Sequence, residues 1–332
     1  MDRIQVSQIK KQASGILQKR SPEFRKTVLL HGAVMVVFLL LTAVVSFLLN
    51  RAMADNQGLS GMKTTAILRT VQFMLTMTGN ILMPFWEIGL LYTAIRAVRG
   101  KSTDFSLLTQ GFTRFAVVLR YFVLYLLILL VVGLVCSNLL MSLTMFLPTP
   151  PSISNALGTI DPTTYTDYQV MLEDIMQALS QVPRSQLLLY FVPLGIFYLA
   201  GYFTVILLLS YRFRMSRYLL MDDKPVRARQ ALGISNRITR GEKSNLLVLD
   251  LSFWWYYLLQ IGVAAIVYIP DILVAAGVNL PISQNVANLL AYVVYCACSL
   301  VVMWFAGAYY HTAMACAYEA LKPVVDADSQ NG

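Results

Sequence analysis

The sequence predicts an all-α, polytopic membrane protein with six transmembrane helices, and three observations carry that class. Of its 332 residues 57% are hydrophobic and only 13% charged, against roughly 25% charged in an ordinary soluble domain. Mean hydropathy is +0.62. Six stretches satisfy the need for about 20 mostly apolar residues, set by a ~30 Å hydrocarbon core and a 1.5 Å rise per residue. Ordinary soluble and disordered classes are excluded.

The expected spans are residues 27–49, 66–95, 115–146, 186–211, 246–275 and 286–318. Several exceed the minimum, which implies tilt or helix running past the lipid. Orientation follows from Lys and Arg, which stay on the cytoplasmic side during insertion. The N-terminal segment carries Arg3, Lys10, Lys11, Lys19, Arg20, Arg25 and Lys26, and the second connection carries Arg96, Arg99, Lys101 and Arg114. The fourth holds Arg212, Arg214, Arg217, Lys224, Arg227, Arg229, Arg237, Arg240 and Lys243. The opposite side offers Arg51, Lys63, Arg69 and Arg184, beside Asp161, Asp167, Glu173 and Asp174. Both termini are therefore expected in the cytoplasm. The organisation reads as a basic amphipathic helix (1–26), a six-span domain (27–322) with an external loop (147–185) and cytoplasmic elbows (102–115 and 222–243), and a cytoplasmic tail (323–332).

Ala52-Met53-Ala54 resembles a cleavage site, but the polar region before Thr27 is long and the apolar run exceeds the 7–15 residues of a signal h-region. The segment reads as the first span. Cys136, Cys296, Cys298 and Cys316 all fall inside expected spans, so no disulfide framework is implied. Cys296 and Cys298 project about 200° apart on a helix and cannot share a metal.

Each odd-numbered span follows a basic stretch with helical apolar spacing. In the first, Val6, Ile9, Ala13, Ile16 and Leu17 form a stripe. In the second, Phe105, Leu108, Phe112 and Phe115 do so, with Thr103 or Asp104 as N-cap. In the third, Pro225 suits the first turn, Ala231, Ile234 and Ile238 form the stripe, and Gly241 ends the helix. Gln12-Ala13-Ser14-Gly15-Ile16 parallels Gln230-Ala231-Leu232-Gly233-Ile234, which is compatible with three repeats of an amphipathic helix plus a transmembrane hairpin. Such helices would lie at the inner headgroup boundary, apolar stripe down, with Lys10, Lys11, Lys19, Arg20, Arg227, Arg229, Arg237 and Arg240 as candidate contacts to anionic headgroups. The alternative is solvated elbows that merely join spans. In the external loop, Pro148-Thr149-Pro150-Pro151 reads as extended or turn-forming. A helix from Asp161-Pro162 onward presents Tyr168, Met171, Leu172, Ile175, Met176 and Leu179, either covering the outer ends of spans or meeting a partner.

Ionisable or strongly polar residues inside spans are costly and so are candidates for function. They are Asn80 and Glu87, with Pro84 freeing a backbone carbonyl between them, and Arg120, Asp250, His311 and Glu319. Two readings stand: a polar path around Asn80 and Glu87, or a network in which Glu87 or Asp250 pairs with Arg120 or His311 and holds helices together. Two distant histidines, His31 and His311, make a zinc or haem centre improbable. His-Glu-x-x-His, Gly-x-Ser-x-Gly and a complete P-loop are missing, and no cofactor is implied. The basic loops lie nearer to lipid headgroups than to nucleic acid, and no nucleic-acid recognition fold accompanies them.

Tyr211-Arg212-Phe213, Tyr218-Leu219-Leu220-Met221-Asp222, Pro225, Ala231-Leu232, Ser235, Gly241 and Leu249-Asp250-Leu251-Ser252-Phe253 resemble the bacterial integral-membrane family catalogued as domain of unknown function 975. Gly111-Phe112, Tyr309 and Tyr318-Glu319-Ala320-Leu321 agree with it as well. Trp254-Trp255-Tyr256 and Ala308 depart from the pattern, and the external loop resembles an insertion. The resemblance implies six spans in a bacterial cytoplasmic membrane and supplies no activity. Function therefore reads as a non-enzymatic membrane module acting on lipid, a lipid-like compound or a partner membrane protein; a transporter or channel around Asn80 and Glu87 is the alternative.

Overall fold

The computed structural model describes residues 5–20, 23–55, 59–144, 149–158, 160, 168–222, 226–278 and 281–322. Among these the regular structure is entirely helical. Six helices are long and apolar enough to cross a membrane: Glu23–Met53, Met62–Val98, Phe115–Ser142, Arg184–Leu219, Trp254–Ala275 and Gln284–Leu321. The chain packs as two compact units, residues 123–210 and the remainder.

The larger unit begins with α1 (Val6–Arg20), α2 (Glu23–Asp55) and α3 (Leu59–Val98). The first span, α2, lies along α3 and against α14 (Gln284–Val302), and α1 lies on α15 (Ala308–Leu321). Gly32 lets α2 approach the sixth span closely, since a Cβ there would sit 3.3 Å from the Leu300 side chain. That crossing adjoins a π-helical turn, Met303–Gly307, which joins α14 to α15. Gln72 of α3 donates to Ser46 Oγ of α2 at 2.9 Å, the interhelical bonding that hydrocarbon surroundings favour.

The first elbow folds as its spacing predicts, with Ile9, Ala13 and Leu17 buried and Val6 and Ile16 half-buried. Its stripe nevertheless faces protein, chiefly α15, and not lipid. This corrects the expectation of an apolar face laid into the bilayer. The third elbow, α10 (Ala228–Ile238), likewise buries Ala231, Leu232 and Ile238, with Ile234 half-buried. It packs on α9 (Ser216–Leu219). Its start is held by the Gln230 side chain, which accepts the Arg227 N–H at 3.2 Å. Gly241, at φ +87, turns the chain away after it, a conformation that costs other residues 1–2 kcal/mol. Pro225 lies outside the described residues.

The second elbow differs from its expected stripe. It is a 3₁₀ segment, Phe105–Thr109, followed by one turn, α4 (Gln110–Thr113). Asp104 holds the N-cap position without a side-chain cap bond. Phe105 is 52% and Phe115 45% exposed, whereas Leu107 and Leu108 are buried. Three residues per turn rotate the inward face away from the one an α-helical period selects. The contact with α3 runs backbone to backbone. A Cβ on Gly89 would lie 2.0 Å from the Leu108 carbonyl oxygen, and one on Gly111 2.0 Å from that of Phe85.

The fifth span starts later than hydropathy indicates. Residues 246–251 belong to a separate helix, α11 (Lys243–Leu251), and the span begins at α12 (Trp254–Ala265). Buried Phe253 stands at the break with φ −104 and ψ 19, outside helical values. A 3₁₀ turn (Ile266–Tyr268) and α13 (Ile269–Ala275) complete the span.

The smaller unit contains most of α5 (Phe115–Thr144) and α8 (Arg184–Phe213), with α6 (Pro151–Gly158) and α7 (Tyr168–Ser180) between them in sequence. Small residues bring α5 and α8 together: a Cβ on Gly201 would meet Leu140 Cδ2 at 2.9 Å. Pro151, expected in an extended or turn-forming stretch, opens α6 at a position where its missing N–H is harmless. Helix α7 packs on α6, half-burying Met171, Ile175 and Leu179 and leaving Leu172 and Met176 exposed. Pro148, Asp161, Pro162 and Asp167 lie outside the described residues, as does the tail from residue 323.

Gly89→Ala and Gly111→Ala are each expected to destabilise the protein by about 1–3 kcal/mol, because a backbone carbonyl cannot move aside as a side-chain tip can. Gly233→Ala, with nothing within 4 Å of the added carbon, should stabilise α10 by up to about 1 kcal/mol. Thermal unfolding of the detergent-solubilised variants checks both signs.

Candidate functional site

The polar chemistry of the larger unit concentrates in one segment, Tyr211–Asp222, where α8 ends and α9 follows. Its apolar residues Met215, Leu219 and Leu220 are buried, so its polar groups must find partners within the protein. Tyr211 donates to Asp250 Oδ2 at 2.6 Å. Arg214 grips the same carboxylate through both terminal nitrogens and also donates to the Tyr310 hydroxyl at 2.8 Å. Ser216 shares a 2.8 Å hydrogen bond with Tyr121. Arg217 pairs with Glu87 at 2.7 Å, and the Leu220 carbonyl accepts Arg114 Nη1 at 2.9 Å. Asp222 receives Arg99 at 2.6 Å, the Tyr318 hydroxyl at 2.7 Å and Lys322 at 2.9 Å.

Position along the segment explains the arrangement. Tyr211 lies in the last turn of α8, Arg214 lies in the turn after it, and Arg217 and Tyr218 lie on α9, so the segment reaches different neighbours in succession. Tyr218 stacks on Tyr318 with ring centroids 5.2 Å apart. The elbow α10 clips onto the same place, since Ser235 donates to the Arg212 carbonyl at 3.1 Å. Arg99, just beyond the second span, also bonds Glu319 at 2.9 Å. Burial works against its charge, but the Asp222 and Glu319 carboxylates outweigh that and raise its pKa above the ordinary arginine value.

The residues singled out in the sequence are placed as follows. Glu87 meets Arg217, and Asp250 meets Tyr211 and Arg214; neither meets Arg120 or His311, as one sequence reading had it. Asp250 lies on α11, before the fifth span and not inside it. Arg120 is exposed on α5 and has no hydrogen bond or ion pair among the described residues. His311 stands edge-on to the Tyr310 ring, and buried His31 keeps Nδ1 without a hydrogen-bond partner among the described residues. Glu319 joins the Arg99 cluster. Asn80 lines a groove between α2, α3 and α14 to whose walls Glu87 does not contribute.

Of the candidate headgroup contacts, Lys11, Lys19, Arg227, Arg229, Arg237 and Arg240 are exposed. Lys10 is not free for lipid: its ammonium donates to the Ser252 carbonyl at 2.9 Å and lies 4.9 Å from the Phe253 ring centre. The Arg20 side chain lies outside the described residues. Among the described residues no group of three or more His, Cys, Asp or Glu side chains could hold a metal ion.

Arg99, Arg214, Arg217 and Tyr310 were missed as site residues, because the arginines read only as charges that set orientation. The usable signal was scarcity. A carboxylate such as Asp222 or Asp250, set among so many cations, must be claimed by some of them. The assembled site is a lock. Asp222 and Asp250 each accept from at least three side chains, if the 3.4 Å contact of Tyr257 to Asp250 is counted.

Asp250→Asn is expected to destabilise the protein by about 3–5 kcal/mol, since it leaves the largely buried Arg214 without a carboxylate, and Asp222→Asn by less, since Arg99 keeps Glu319. Glu87→Gln, in a pair whose partners are 40% and 33% exposed, should cost about 0–1 kcal/mol. Midpoints of thermal aggregation in one detergent rank the three.

No curated protein and no solved structure matches the chain. The profile described as protein of unknown function (DUF975) matches residues 7–324. Of the residues that carried the resemblance, Tyr211, Asp222, Asp250, Tyr318 and Glu319 take part in the contacts described here, and the chain belongs to the DUF975 family.

Proposed function

We propose that the protein is a non-catalytic module of a bacterial cytoplasmic membrane, with both termini and the Tyr211–Asp222 lock on the cytoplasmic side, and that it holds anionic lipid headgroups on its first and third elbows. The observation that carries this reading is the exposure of Arg227, Arg229, Arg237 and Arg240 on and beside a helix whose other face is fixed to the lock. The nearby carboxylates Asp222 and Asp250 are already bonded to other cations, so they do not neutralise these arginines. Positive charge on cytoplasmic connections supplies the orientation.

The buried stripes of α1 and α10 change how lipid is met. Affinity comes from charge at the headgroups and not from insertion of an apolar face, so it is sensitive to salt. A partner membrane protein bearing an acidic surface would meet the same arginines, and the lipid assay separates the two.

The full-length protein, extracted from mixed phosphatidylglycerol and phosphatidylcholine bilayers, should retain phosphatidylglycerol in native mass spectra. The quadruple variant Arg227→Gln, Arg229→Gln, Arg237→Gln, Arg240→Gln should retain at least about tenfold less, given ~1 kcal/mol per cation near an anionic surface. Equal retention by the folded variant, or retention insensitive to salt, would remove the lipid reading.

A further inference from the structure

The second span carries two carboxamides in its transmembrane part, and they are treated differently. Gln72 donates to Ser46. Asn80, at the midpoint of Met62–Val98, is exposed and has no hydrogen-bond partner among the described residues. Pro84 adds to the demand, because it has no N–H to give to the Asn80 carbonyl. At mid-bilayer no water satisfies such groups, and each one left alone costs free energy.

Beside Asn80 is a groove of about 470 Å³ between the first, second and sixth spans. Phe38, Leu39 and Met83 give it apolar walls, and Tyr295 of α14 brings a phenol that also lacks a partner among the described residues. The hydroxyls of Thr42 and Thr76 are occupied by the Phe38 and Gln72 carbonyls of their own helices. Gly79 keeps the space open next to Phe38, whose ring lies 3.8 Å from where its Cβ would be. A volume of this order, apolar walls and a few convergent polar groups are the features of a small-molecule site.

We infer that this groove binds a neutral, lipid-soluble molecule that carries a carbonyl or hydroxyl group. Its polar group pairs with Asn80 and Tyr295, and its apolar part lies along Phe38, Leu39 and Met83. Among the described residues no Asp, Glu, Lys or Arg lines the groove, so a charged ligand would enter hydrocarbon without a counter-ion, at a much larger cost than a neutral one. The site is distinct from the headgroup contacts in residues and in depth, and either can fail without the other.

The probe is a fatty-acid methyl ester bearing a diazirine, photolysed in nanodiscs that hold the full-length protein, with adducts located by peptide mass spectrometry. Labelling of the groove segments of the first, second and sixth spans should be saturable and displaced by unlabelled ester. Asn80→Leu should lower it about fivefold, within the range of one hydrogen bond between membrane groups. Gly79→Leu, which fills the groove and keeps the amide, should lower it at least as much. Labelling spread evenly over lipid-facing positions, or not displaced in the unmodified protein, overturns the inference, as does equal labelling in both folded variants. Selective disulfide dimers of Asn80→Cys, without dimers of Met77→Cys or Ile81→Cys, overturn it in favour of contact between two copies.

Discussion

The fold of the larger unit depends on the two aspartates that accept from the Tyr211–Asp222 segment and its neighbours. Hydrocarbon gives helices little reason to associate, because lipid tails are as apolar as leucine. Specific association therefore falls to close packing and to polar groups that have nowhere else to go. Asp250 joins the end of α8 to α11 and, through Arg214 and Tyr310, to α15. Asp222 joins the second span to the sixth through Arg99, Tyr318 and Lys322.

The elbows complete this arrangement. Each brings a different fastening: α1 brings a buried apolar stripe and Lys10, the segment before α5 brings glycine contacts to α3, and α10 brings Ser235 on the Arg212 carbonyl. Their cations divide into two sets. Arg99, Arg214 and Arg217 are consumed by carboxylates, whereas the arginines on and beside α10 face outward. A count of charge along the chain treats both sets alike, and only the packing tells them apart.

Much of the architecture was legible in the sequence because the bilayer imposes its thickness on any helix that crosses it. The six apolar runs, the amphipathic spacing of α1 and α10 and the turn at Gly241 all follow from local rules. What was hidden depended on tertiary contact. Hydropathy runs straight through Ser252-Phe253, because a buried phenylalanine scores as apolar whether it continues a helix or interrupts one. Phe105 and Phe115 fit an α-helical stripe on paper, yet the 3₁₀ geometry turns Leu107 inward beside the expected Leu108 and leaves both phenylalanines exposed. The acidic residues were visible as candidates, but nothing local could say that Glu87 meets Arg217 or that Asp250 meets Arg214, each pair lying far apart along the chain.

The π-helical turn at Met303–Gly307 has a bearing on how this chain tolerates change in length. Such a turn holds one residue more than an α-helix needs, so the stretch bearing Tyr295 and the stretch bearing Tyr310 and Tyr318 are offset in phase by about 100°. Losing a single residue there would restore a regular helix and swing one stretch around the axis relative to the other. The sixth span thus acts as a keyed shaft, whose angular setting matters as much as its side chains.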